Sequence, residues 1–390
     1  MKVDTGTNTL APYFLNIAPF IGVATLLLDD RLKDFAVTNI LIQTIVFIAT
    51  AQLPAALTNV MSWVDLAWPT GLVAIGLQTY FNADPDVSPY RKGLGACLYL
   101  FQGGRMALGA TMMAFNGHMK RDMPRYRYQF LRWKQNYGVH QGSLMFTLMM
   151  QKEIFMQAIA NMGCLVIPSV LLARNNLKDA PLQTIEKIGL VMWMISYCVE
   201  HKSESVIPYG FVDIFVLFVL TCCDMLADSF FLSVCCVPVF FSFSLQKLSF
   251  LQRMKKQGIS GAAMTEGLWS ISRHPNYLGE YMIWIALSLI ALPSLYSLRS
   301  TFSDKEKFSA TSSPSTVIRN VMLPLSLSLC SISMYYCLTW WTGAVPAEYF
   351  SLQKRKGYSE YMKKTPMLIP RLKDVFRILF EEVRRMSVHT

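Results

Sequence analysis

The chain has 390 residues, of which 53% are hydrophobic and 16% charged. Soluble domains carry about a quarter charged residues, so this deficit, together with repeated apolar runs, excludes an ordinary soluble enzyme and points to an integral membrane protein. The formal net charge of +11 is distributed over connecting segments, which argues against nucleic acid as a partner and for anionic headgroups or a phosphorylated cofactor.

Eight apolar spans are predicted, at 11–28, 35–57, 62–80, 93–115, 144–172, 186–200, 278–296 and 317–340. They imply an all-α, polytopic transmembrane bundle in a lipid bilayer. The N-terminal stretch MKVDTGTNTLAPYF lacks a basic n-region and a plain cleavage site, so the first span is expected to be an anchor. The segments 117–142, 246–277 and 341–390 hold 6, 5 and 10 Lys+Arg, against 2, 2, 3 and 3 in 29–34, 81–92, 173–187 and 297–316. The basic set is expected in the cytosol, an assignment that eight spans satisfy with both termini on that side. One integral membrane domain over 1–390 is expected, without internal repeats.

Taken along the chain, the first charged residue inside a span is Asp65, in MSWVDLAWPTGLVAIGLQTY. It either lines a cavity beside a helix loosened by Pro69 and Gly71, or is a first-turn carboxylate favoured by the helix dipole. Residues 117–142 interleave Arg and Lys with Tyr and Trp. That pattern suits an interfacial helix with snorkelling bases, or an Arg set facing a cofactor phosphate. The adjacent pairs Cys222–Cys223 and Cys235–Cys236 have no His or carboxylate at ligand spacing, so neither a metal nor a disulfide is expected. Residues 297–316 are Ser/Thr-rich and are expected to be a mobile lumenal loop.

The densest chemistry lies at Arg273–Trp284, RHPNYLGEYMIW, where a basic loop meets an apolar span. Ionisable groups at that depth are costly and mark a candidate site. Arg273 offers a planar donor fork suited to a phosphate, and Tyr277 an aromatic edge or hydroxyl. Asn276 and Glu280, four apart, share one face if the segment is helical. The same two residues also suit a simple capped helix start.

The block GLWSISRHPNYLGE (267–280), with AEYFSLQKRKGYSEYMKKTPMLIPR (347–371) and a weaker echo in SWVDLAWPTG (62–71), resembles the steroid 5-alpha-reductase C-terminal domain family in its DUF1295 branch. That branch is similar to sterol reductases and, more distantly, to isoprenylcysteine carboxyl methyltransferases. The resemblance implies a catalytic region over 186–371, in the endoplasmic reticulum membrane, with a cofactor cleft on the cytosolic side. It implies NADPH-dependent reduction of a carbon–carbon double bond in a steroid-like or other enone lipid. Glu280 and Tyr277 would then lie near the reacting ring. Arg273, His274, Asn276, Asp228, Lys247, Tyr358, Tyr361 and Arg371 would hold the cofactor. A Tyr hydroxyl or a neutral carboxylic acid would stabilise the developing enolate; burial favours the neutral form of such an acid. Tyr358, Tyr361 and Arg371 either close over the cofactor or belong to an amphipathic tail on the cytosolic face.

The Arg-His-Pro-x-Tyr-x-Gly core is shared with the methyltransferases, so an S-adenosylmethionine-dependent methyltransferase is the second enzyme reading. The reductases of the resembled family place an acid after the Gly, as Glu280 does here. A non-catalytic membrane scaffold is the third reading. The relatives also carry a continuous acid-x-x-x-Asp-x-Gln-Lys-like stretch. Here it is broken into MWMISYCVE (192–200), MLADS (225–229) and QKLSFLQRMKKQG (246–258). Joined, the pieces would set Glu200 and Asp228 four apart. The intervening 201–224 and 230–245 read as insertions or retained introns. Each apolar piece, about 16 residues, is short for a crossing. Genuine membrane insertion is the alternative, and transcript sequencing decides between them.

Overall fold

The computed structural model describes residues 11–178, 180–204, 253, 254, 256, 262–306, 317–377 and 380. Among these the chain is all-helical, with eleven helices and no strand. Helix α1 is Ala11–Leu27. Helix α2 starts as Lys33–Phe47 and runs through a π turn, Ile48–Gln52, to Thr58. Helices α3 (Val64–Phe81), α4 (Pro89–Phe115) and α5 (Pro124–Tyr137) follow. Helix α6 is Leu144–Ala160 and passes through the π turn Asn161–Leu165 into Ile167–Ala173. Helices α7 (Thr184–Glu204), α8 (Pro275–Glu306), α9 (Leu323–Tyr336), α10 (Ala344–Lys354) and α11 (Tyr358–Lys364) complete the order.

Helix occupies each of the eight predicted apolar segments. Four stretches, Lys33–Thr58, Leu144–Ala173, Pro275–Arg299 and Asn320–Lys354, are long and apolar enough to cross a membrane. The boundaries follow local chemistry. Pro89 and Pro124 open α4 and α5, where a missing N–H costs nothing. Ser143 caps α6 by accepting the Phe146 N–H at 3.1 Å. Gly138, at φ 63°, ends α5 in the left-handed conformation that glycine tolerates. One expectation is corrected: α8 continues to Glu306, so 297–306 is helix rather than loop. No Gly or Pro interrupts the sequence there before Pro314, and Ser and Thr alone do not stop a helix already nucleated. The broken stretch between 205 and 252, with Asp228 and Lys247, lies outside the described residues, as does 307–316.

The chain packs as two compact units. The first comprises Met1–Leu190 and Trp284–Cys337; the second comprises Val191–Ile283 and Leu338–Thr390.

The first unit has a core of Phe47, Met61, Val64, Phe146, Met150 and Ile154, with Tyr126, Phe130 and Trp133 from α5 packed into it. Phe130 meets Phe146 edge-on, with centroids 4.7 Å apart. Helix α5 thus buries its aromatic face while Arg127 and Lys134 stay exposed, the amphipathic arrangement expected of its sequence. Helices α1 and α6 touch at a glycine pair. A Cβ on Gly22 would collide with the Gly163 carbonyl, and one on Gly163 with the Pro19 carbonyl. Small residues permit such backbone approach in membrane bundles.

Polar groups buried in this unit meet partners across helices. Gln43 Nε2 donates to Asn39 Oδ1 at 3.2 Å and to the Gly71 carbonyl at 2.9 Å. Asn161 Nδ2 donates to Gln43 Oε1 at 3.1 Å and to the Trp68 carbonyl at 3.2 Å. These amides tie α2, α3 and the π turn of α6 together, as interhelical hydrogen bonds do in apolar surroundings. Arg91 is paired with Glu186, both almost fully buried, and also donates to the carbonyls of Ala180 (2.8 Å) and Pro181 (3.1 Å).

Asp65 is neither a bare cavity carboxylate nor only a dipole partner. It accepts a hydrogen bond from Tyr126 and pairs with Arg125 at 2.6 Å, and so latches α5 to the start of α3. Beside it, Asp122 accepts from the Ser62 N–H (2.9 Å) and hydroxyl (3.0 Å). Burial, the larger cause, and the Asp65 charge push the Asp122 carboxyl above its usual range.

Candidate functional site

The sequence GLWSISRHP builds the entry to α8 within the second unit. Gly267, at φ 59°, starts a short 3-10 turn, Gly267–Ser270. Pro275 then opens α8, and the Leu278 N–H donates to the His274 carbonyl at 3.0 Å. Arg273 and His274 therefore stand just outside the helix, while Asn276, Tyr277 and Glu280 are on it. Asn276 and Glu280 share a helical face. Glu280 is buried; Asn276 and Tyr277 are half-buried.

Arg273 faces the chain's own tail. Its Nε donates to Glu348 Oε1 at 2.6 Å, and its Nη1 to the carbonyls of Met362 (2.9 Å) and Thr365 (2.6 Å). Its backbone N–H donates to the Pro366 carbonyl at 3.0 Å. His274 Nε2 lies 3.0 Å from the same Glu348 oxygen, and its ring stacks on Tyr277 at 5.3 Å. Tyr361 donates to the Trp269 carbonyl at 2.5 Å. Charge-assisted bonds of this kind are about twice as strong as neutral ones. The two blocks singled out in the sequence, 267–280 and 347–371, are therefore one clasp, with Glu348 as its hub. Burial, first, and the Glu348 charge push the Tyr358 hydroxyl up; burial likewise pushes Tyr361 up. Both remain neutral donors at neutral pH.

Helix α7 meets α8 at Gly279. A Cβ there would lie 2.8 Å from the Ser196 carbonyl and the Glu200 N–H. Only glycine allows that approach, which brings the fully buried Glu200 beside the residue preceding Glu280. Two buried carboxyl side chains thus flank one helix crossing. Glu200 and Glu280 are both buried there.

Of the residues picked from sequence, Arg273, His274, Tyr277, Tyr358 and Tyr361 come together with Glu348. Asn276 and Glu280 lie one and two turns into α8. Arg371 is exposed; its carbonyl accepts from the N–H groups of Asp374 and Val375. Sequence reasoning passed over Glu348 as an individual residue, and also Gln102 and Arg105, which are buried in α4 of the first unit. An arginine in the apolar run 93–115 is itself a signal.

These features define an integral membrane protein built of apolar helices with an ionisable cluster at the start of one of them. A family profile described as protein of unknown function (DUF1295) matches residues 53–206 and 215–303. The chain belongs to the DUF1295 family. The match takes in 230–245 and leaves out 207–214. No curated protein and no solved structure matches.

Proposed function

We propose that the protein is an NADPH-dependent reductase of a carbon–carbon double bond conjugated to a carbonyl in a steroid-like or other enone lipid. The observation that carries this reading is Glu280, buried near the start of α8, a helix long and apolar enough to cross a membrane, in the position after Gly279 where the resembled reductases hold an acid. On this reading the basic segments face the cytosol, in the endoplasmic reticulum membrane.

On this reading a phosphorylated dinucleotide binds to the second unit. Arg273 is engaged by Glu348 and the tail carbonyls. The exposed Lys354, Arg355 and Lys356, which lead into the buried Tyr358, would hold the cofactor's phosphates. NADPH, when bound, supplies the hydride that adds to the β carbon of the enone. The displaced π electrons move to the carbonyl oxygen, where Glu280 as a neutral acid, or Tyr277, donates a hydrogen bond to the enolate. A proton from an acid or water completes the α carbon. Asn276 orients the reacting ring from the same helical face. The clasp of Arg273, His274 and Glu348 positions the loop that precedes these residues.

The test is NADPH oxidation by purified protein offered enone lipids, beginning with a 3-keto-4-ene steroid. Glu280→Gln is expected to lower turnover about 10²-fold or more with the melting temperature unchanged. Unchanged turnover would remove Glu280 from the site.

A further inference from the structure

Beyond α11 the chain passes Pro370 and forms a helical segment over 372–377. Its Val375 packs on Ile271, as does Leu268. Leu372, Phe376 and Phe380 repeat at helical spacing on another face and are 72%, 53% and 75% exposed. Ile369, 59% exposed, precedes them. Single exposed apolar residues are ordinary, but a contiguous ridge of large ones marks an interaction surface.

Two features indicate what covers the ridge. The first is position. Val375 is held by Ile271, four residues before Pro275, where a membrane-crossing helix begins; the tail itself leaves another such helix at Lys354. The ridge is therefore tethered through two routes to a bilayer boundary. The second is charge. Between 363 and 377 the sequence carries five Lys and Arg against one acid, Asp374. Lys373 and Arg377 are exposed beside the ridge itself. Apolar residues flanked by bases are the pattern of a helix lying in the interface of an anionic leaflet.

We propose that Ile369, Leu372, Phe376 and Phe380 lie in the headgroup–acyl boundary of an anionic membrane leaflet, with Lys373 and Arg377 on its phosphates. This is a peripheral, salt-sensitive membrane contact, additional to the crossing helices and separate from the reductase reading.

The test uses the full chain in lipid nanodiscs, with the photo-crosslinking residue benzoylphenylalanine replacing Phe376. Adducts are identified by mass spectrometry in neutral phosphatidylcholine discs and in discs enriched in phosphatidylserine. The expected result is lipid adducts, with a yield severalfold higher in the anionic discs. That gain should be lost at high salt and in a Lys373→Glu, Arg377→Glu variant. Adducts within the chain or to a second copy would overturn the proposal. So would no adduct, or a lipid yield indifferent to phosphatidylserine and to charge reversal. The same probe at Leu372 repeats the test should the Phe376 variant misfold.

Discussion

In the first unit deeply buried polar side chains reach one another across helices. Asn39, Gln43 and Asn161 exchange amide bonds between helices, and Arg91 is matched by Glu186 and two carbonyls. In the second unit, Arg273 and His274 share a single oxygen of Glu348 and the tail supplies further acceptors. The first arrangement holds a bundle together in an apolar medium, where unmet polar groups are costly. The second fastens a surface tail to the mouth of α8 and leaves Glu280 just inside it. A difference of this kind separates residues that maintain the fold from residues that shape a site.

The contrast can be broken most severely in the first unit. Arg91→Met leaves Glu186 buried and unpaired, and should destabilise the whole protein by about 3–5 kcal/mol, read as a large drop in thermal midpoint in detergent. A small change would show that the pair is not what holds these helices together. Arg273→Met should act more locally. It removes charged hydrogen bonds worth about 1.5–3 kcal/mol each, and the expected sign is rapid protease cleavage after α10 with little change in the midpoint. Equal protection of the tail in variant and wild type would contradict the clasp.

Much of this was legible in advance, for a physical reason. A bilayer demands long apolar helices, so helix positions could be read from apolar run length: all eight segments are helical, and four stretches are long and apolar enough to cross a membrane. The string RHPNYLGE was visible because ionisable groups are rare beside a span. Its partners were not. The acceptors of Arg273 at Glu348, Met362 and Thr365 lie 75 or more positions away, and a carbonyl carries no side-chain signal. The guanidinium of Arg273, whose fork suits a phosphate, faces the chain's own tail. Asp65 left two readings open because its partners, Tyr126 and Arg125, sit on another helix. The π turns and the Gly22–Gly163 approach depend on tertiary packing that no local pattern encodes.

The smallest expected effect sharpens the same comparison through pH. The Asp122 carboxyl is raised in the folded protein, chiefly by burial. A raised carboxyl contributes stability that is fully present below its unfolded value, about 3.9, and is lost as pH rises through the folded value. Asp122→Asn should therefore flatten the thermal midpoint between those two values. A slope that persists in the variant would assign the pH dependence to another group.

The central claim is that the second unit serves a nicotinamide cofactor, and equilibrium titration of the purified protein with NADPH and with S-adenosylmethionine tests it most directly. Saturable binding of NADPH, with none of S-adenosylmethionine, is the predicted result. Binding of S-adenosylmethionine alone, or of neither by a folded sample, would contradict it, in favour of the methyltransferase or the scaffold respectively.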